Sequence, residues 1–260
     1  MVVIGTNENL PDPNVLGKEL SDLFNGLKQY YLDKARLSSE NSESRLKKVQ
    51  PYVIAFDPDF EGSVENGWFS KVEMVELRCV SKLFESQIYL LEKNEHWADA
   101  LRLKLLHYLQ IMEADYPATL VLNAFRFGND EPPVWKFLEL ADNHKEKNGF
   151  RYPSGKLAKI SALVAESHPT LSVHLSRLYQ SSLRNSVAHS HFHIQQDGGM
   201  ILLTSQYSSG SRSVSSEEIA GTACPSYTRE AFNIIYKSVI RYWECAEAHY
   251  RWFENLEKCW

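Results

Sequence analysis

The apolar residues of the C-terminal segment recur at steps of three and four, and this pattern constrains the fold more than any other feature of the chain. The positions are Phe232, Ile235, Val239, Trp243, Ala246, Tyr250, Phe253 and Leu256. Such spacing places the apolar side chains on one face of an α-helix. An amphipathic helix of this length must bury its apolar face against other elements, so we expect a helical bundle.

Further segments with helical periodicity precede the C-terminal one. They cover residues 16–31, 68–91, 94–112, 132–141, 156–166 and 171–189. Pro117 is expected to end the third of these helices, because proline removes a backbone donor. Residues 52–56 predict a short strand or a buried extended segment.

The helical period stops after residue 189. Two short apolar segments then flank Gln196-Asp197-Gly198-Gly199, which predicts a β-hairpin over residues 192–204. The serine-rich stretch 205–216 is expected to form a loop. We therefore expect a mainly α fold, in which a helical bundle carries a small β-hairpin insertion and extra N-terminal helices. Residues 1–150 would form an N-terminal helical region that could join the same bundle, and residues 151–260 the core with the hairpin and the long last helix.

Composition narrows the class of protein. The 260-residue chain has a formal net charge of −5, which argues against a protein that coats nucleic acid through bulk positive charge. Its four cysteines are far apart, so neither a disulfide scaffold nor a zinc ribbon is predicted. The N-terminus lacks the features of a signal peptide, and no apolar run is long enough to span a membrane. We expect a cytoplasmic protein without a cofactor and without membrane contact.

One short motif carries most of the functional signal. Arg184 and His189 are separated by four residues at the end of a predicted helix, Asn185 follows the arginine, and Val187-Ala188 precede the histidine. This motif resembles that of the HEPN superfamily, whose hallmark is an arginine, four to six residues and a histidine near the end of a bundle helix. The hairpin and the long final helix also fit, so the resemblance covers about residues 171–260.

The resemblance implies a four-helix core and a metal-independent endoribonuclease that acts as a homodimer. Many members serve as toxins or anti-phage effectors. His189 would transfer protons, Arg184 would bind and stabilise the phosphate, and Asn185 would orient the pair. The RNA 2′-OH is the internal nucleophile, so the products would carry 2′,3′-cyclic phosphate and 5′-OH ends. Single-stranded or looped RNA would be the substrate, because its backbone is accessible there.

Structural interpretations of the same residues stay open. Arg184 could be a solvated helix residue, His189 a helix C-cap, and Asn185 a partner of a nearby carbonyl group. Arg102 and His107 have the same spacing within an ordinary amphipathic helix, where we expect surface or satisfied positions. A non-catalytic HEPN-like module that binds a protein or nucleotide is the alternative function.

Two further histidines follow the motif. His191 and His193 could join His189 in a zinc site, but no cysteine or carboxylate stands at a supporting spacing, so we predict no metal. For His191 and His193, a strand edge that faces a phosphate or is merely exposed is the preferred interpretation, and these two histidines with Arg212 are the candidate RNA contacts. A regulatory or antitoxin protein is a further expected partner. Some HEPN toxins carry a tyrosine, modified by a partner nucleotidyltransferase, at the position of His191, and this departure argues against that particular partnership.

Overall fold

The computed structural model describes residues 2–3, 10–37, 71–129, 131, 140–141, 143–150, 152–195, 199–203 and 225–257. Its helices are α1 (Pro13–Leu37), α2 (Lys71–Lys93), α3 (Trp97–Glu113), α4 (Asp115–Gly128), α5 (His144–Gly149), α6 (Pro153–Val164), α7 (Pro169–Leu178), α8 (Ser181–Ala188) and α9 (Arg229–Glu257). Its strands are β1 (Val2–Val3), β2 (Phe192–Gln195), β3 (Met200–Leu203) and β4 (Pro225–Thr228).

The long helix α9 lies at the centre of the bundle. Its predicted apolar face is buried at Phe232, Ile235 and Val239, and it packs against α1, α3 and α4. The Thr228 hydroxyl accepts the Ala231 N–H at 3.0 Å and so caps the first turn. The Asp12 carboxylate caps α1 in the same way. One hydrophobic cluster joins residues from both halves of the chain.

Helix α4 was not predicted from the sequence. The prediction that Pro117 ends the helical region is wrong, because α3 already ends at Glu113 and Pro117 lies in the first turn of α4. Proline is tolerated there, since the first N–H groups of a helix have no intrahelical partner. Residues 116–124 are all buried, so exposed positions do not alternate with buried ones along this stretch as they do along a helix at the surface.

The segment 171–189 forms two helices rather than the one that was predicted. The backbone is extended at Tyr179 and Gln180, between α7 and α8. The buried Tyr108 hydroxyl accepts the Gln180 N–H at 3.0 Å, and Tyr227 donates to the Gln180 side chain at 3.2 Å. These tertiary hydrogen bonds replace those that a continuous helix would make.

The predicted hairpin is confirmed as the antiparallel pair β2–β3, in which Phe192 faces Leu203 and Gln195 faces Met200. Strand β4 pairs with β3 antiparallel and β1 pairs with β4 parallel, which gives the order β1-β4-β3-β2. Neither β1 nor β4 was predicted. The mainly α fold with a small sheet is therefore confirmed.

Some predictions fall outside the described residues. They concern the segment 52–56, residues 132–139 of a predicted helix, the loop 205–216 and Arg212 within it. Among the helices that the structure describes, none has the length and apolar character needed to cross a membrane.

Candidate functional site

The eight-residue helix α8 carries the first part of the motif. Leu183 and Val187 are buried, and they hold α8 against α3 and β3. Arg184 and Asn185 project from the remaining surface of this helix, where Arg184 is half-buried and Asn185 is exposed.

The Arg184 guanidinium is held by two side chains. Its Nε donates to Oε1 of Glu113 at 2.5 Å, and its Nη1 donates to Oδ1 of Asn185 at 3.1 Å. The hydrogen bond to Glu113 is the main cause that raises the pKa of Arg184. Arg184 is 21% exposed and Glu113 is 38% exposed, so the arginine is not simply a solvated helix residue.

The same guanidinium keeps donors for a ligand. An arginine has five N–H groups, and the described residues accept hydrogen bonds from two of them. The three that remain form part of a planar, permanently charged fork, which suits a phosphate group.

Helix α8 ends in a Schellman motif. The Ser190 N–H bonds to the Val187 carbonyl at 3.1 Å and the His191 N–H to the Ser186 carbonyl at 2.7 Å, while His189 is the C-cap. Ser190 has φ +57°, in the left-handed region that glycine usually occupies at this position. For an L-residue this conformation costs roughly 1–2 kcal/mol.

This turn brings two histidine rings together. The ring centroids of His189 and His191 lie 5.9 Å apart with an interplanar angle of 34°. His189 is exposed and His191 is half-buried, while His193 is exposed on the edge strand β2. In the described part of the chain, no three His, Cys, Asp or Glu residues are grouped so that they could hold a metal ion.

The structure pairs Arg184 with Asn185 and His189 with His191, but it does not join the two pairs. No hydrogen bond links Arg184 to His189 among the described contacts. On a regular helix five positions correspond to a rotation of about 140°, so Arg184 and the C-cap His189 do not share one helix face. His189 is the C-cap that the structural interpretation predicted, yet its exposed ring stays accessible.

Sequence reasoning missed the residues that surround Arg184. Glu113 lies 71 positions away, and its contact with Arg184 depends on the packing of α8 against α3. Tyr179 is half-buried, and burial raises the pKa of its hydroxyl. The positive charge of Arg184 acts in the opposite direction and lowers this pKa. Tyr152 is 56% exposed and lies close enough to add to the raised pKa of Arg184.

The second pair with the same spacing is structural, as predicted. Arg102 is exposed and forms an ion pair with Asp99 at 2.7 Å. His107 is fully buried, where it hydrogen-bonds the Tyr236 hydroxyl at 2.9 Å and the Ser81 hydroxyl at 3.1 Å. Burial lowers the pKa of His107 to about 4.

No family model matches this chain, and no curated protein and no solved structure is significantly similar to it. The HEPN resemblance at Arg184, Asn185 and His189 therefore stays a prediction, and the geometry of these residues is the basis for proposing a function.

Proposed function

We propose that the chain is a HEPN-type, metal-independent endoribonuclease that cuts single-stranded or looped RNA. One observation carries the proposal. A guanidinium that keeps three N–H donors beyond its contacts with the described residues lies on the same short helix whose end exposes an imidazole. Few pairs of side chains are better suited to bind a phosphate and to move a proton beside it.

In the proposed reaction, the RNA 2′-oxygen attacks the adjacent phosphorus after losing its proton to an imidazole. The bond from phosphorus to the 5′-oxygen breaks, and that oxygen leaves with a proton returned by an imidazole. The products are a 2′,3′-cyclic phosphate and a 5′-OH. Arg184 would bind the phosphate oxygens, where negative charge increases in the transition state. His189 would carry the proton, with His191 beside it.

A homodimer would complete this site. Because five positions of a regular helix span a rotation of about 140°, Arg184 and His189 of one chain are poorly placed for a single phosphate. Two copies related by a two-fold axis would place two of each residue in one cleft. The resemblance also implies a role as a toxin or anti-phage effector acting on RNA in the cytoplasm.

The test is cleavage of total RNA and tRNA by purified protein in EDTA. We expect His189→Ala and Arg184→Ala to lose roughly 10²–10⁴-fold in rate, as for acid–base and phosphate-binding groups. The matched controls are His144→Ala and Arg102→Ala, which remove exposed residues of the same types elsewhere. They should cleave like the wild type, and the products should end in a cyclic phosphate.

Three results would contradict the proposal. Equal activity in all variants would indicate another site or a contaminant. Activity that EDTA abolishes would indicate metal-dependent chemistry. RNA binding without cleavage would favour the non-catalytic binding module.

Mixing inactive variants tests the shared cleft. A mixed dimer of His189→Ala and Arg184→Ala chains keeps one Arg184 and one His189 in the cleft, and about half of randomly paired dimers are mixed. Cleavage that returns on mixing supports the dimeric site. No recovery after refolding the two chains together would mean either that both residues of a site lie on one chain or that the cleft needs both copies of each residue, and the mass of the active species in solution then separates these two cases.

A further inference from the structure

We propose that Glu113 is a positioning residue, which fixes the Arg184 guanidinium for binding a phosphodiester of the RNA backbone. This inference rests on the function proposed above and assigns a role to a residue that the motif does not contain. It starts from the 2.5 Å contact between Glu113 Oε1 and Arg184 Nε.

The location of Glu113 is unfavourable for a carboxylate on its own. It is the last residue of α3, and the last turn of that helix contains no basic residue. The free carbonyl groups there form the negative end of the helix dipole, which destabilises an acidic side chain. The contact with Arg184 on α8 compensates this charge.

Two contacts on different nitrogens fix the guanidinium plane. Glu113 holds Nε and Asn185 holds Nη1, so the end of the side chain cannot rotate freely. Half-burial at 21% exposure restricts it further. The three remaining N–H groups therefore keep fixed directions, and a phosphate meets donors that are already oriented.

Glu113 does not need to leave when a phosphate binds. It accepts one N–H of five, and Asn185 accepts one more. A carboxylate that blocked the guanidinium would instead act as a latch, and its removal would speed up cleavage. The two roles predict opposite changes in rate.

The test compares Glu113→Ala with Glu113→Gln in the full chain. Both variants remove the same charge, but only glutamine keeps an oxygen that can accept the Arg184 Nε–H. We expect Glu113→Ala to lower kcat by about 10–100-fold, as a misplaced group does. Glu113→Gln should recover most of that loss. Asp99→Ala, which breaks the exposed ion pair with Arg102, is the matched control and should leave kcat unchanged.

Two further measurements separate positioning from a loss of structure. In the Arg184→Ala background, Glu113→Ala should have no additional effect on kcat, because the two residues act through one contact. The thermal midpoints of the Ala and Gln variants should agree, since the pair is partly exposed and contributes little to stability.

The outcomes distinguish this inference from the proposed function. If the wild type cleaves RNA and Glu113→Ala cleaves equally well or faster, the positioning role is overturned and the nuclease stands. If Ala and Gln lose the same activity, charge rather than orientation matters, which also overturns it. If the wild-type protein does not cleave RNA, the proposed nuclease function is refuted. The role of Glu113 is then tested by measuring the affinity of each variant for a single-stranded deoxyoligonucleotide. Equal affinities of Glu113→Ala and Glu113→Gln would overturn the positioning role.

Discussion

Two buried histidines should make this fold sensitive to mild acid. His107 is fully buried among Tyr236, Ser81 and the Phe84 ring, and burial lowers its pKa to about 4. His249 is 2% exposed and stacks on Phe24 at 4.5 Å. Burial, with the charge of Lys28 as a smaller cause, lowers its pKa to about 3.

The sign of the effect follows from proton binding. An unfolded chain protonates histidine near pH 6.5, whereas the native chain resists until pH 4 or below at these two positions. Stability is therefore complete above about pH 6.5 and is lost as the pH falls toward the native pKa values. Between pH 7 and pH 5 each histidine lowers the free energy of unfolding by about 2 kcal/mol, so the pair lowers it by about 4 kcal/mol. A domain is typically stable by about 5–15 kcal/mol, so this loss is large.

Urea unfolding followed by circular dichroism at pH 7, 6 and 5 measures this loss. His107→Gln should destabilise the protein at pH 7 but remove about 2 kcal/mol of the loss between pH 7 and pH 5, since this histidine no longer titrates. His144→Gln, at an exposed histidine, should keep the full dependence. If His107→Gln and the wild type lost the same free energy between pH 7 and pH 5, protonation of His107 would not be the cause.

Two further predictions concern the helix ends and the surroundings of Arg184. Ser190→Gly should stabilise the protein by about 0.5–1 kcal/mol, because glycine adopts positive φ without strain but loses more entropy on folding. Glu95→Gly, at the same position after α2 with φ +62°, should do the same in thermal unfolding, and a lowered midpoint in either would refute the reasoning. Tyr152→Ala should weaken deoxyoligonucleotide binding by about 1–3 kcal/mol if bases stack beside Arg184. Tyr89 is 64% exposed on α2, and Tyr89→Ala should leave the binding affinity unchanged. If both variants lost the same affinity, the bases would not stack beside Arg184.

The helices that could be predicted are those with one buried face. In α1, Leu16, Leu20 and Phe24 are buried and alternate with exposed positions, so the sequence carries the period of the structure. Helix α4 shows no such alternation over residues 116–124, because every residue of this stretch is buried. The break between α7 and α8 depends on Tyr108, which lies 72 residues from Gln180, so local spacing could not reveal it.

The site could be predicted to the same extent. Asn185 is next to Arg184 in the sequence, and its side chain hydrogen-bonds the guanidinium. The apolar period ends before His189, which indicates that His189 lies at a helix terminus. The contact of Arg184 with Glu113 is tertiary and has no local signal. The left-handed conformation of Ser190 could not be predicted either, because the usual sequence signal for it is a glycine after the helix, and this position is a serine.

The motif divides the proposed chemistry between a fixed residue and an accessible one. A phosphate-binding group benefits from fixed orientation, and Arg184 is half-buried and held by two partners. A proton carrier must reach the substrate, and His189 is exposed beyond the helix, next to the strained Ser190. Glu95 has the same conformation after α2 without a proposed role, so the strain at Ser190 motivates a test of function and does not assign one. Ser190→Gly should raise stability and lower cleavage together, because it frees the turn that holds His189 beside His191. A variant that gained in both would show that the strained turn has no part in the reaction.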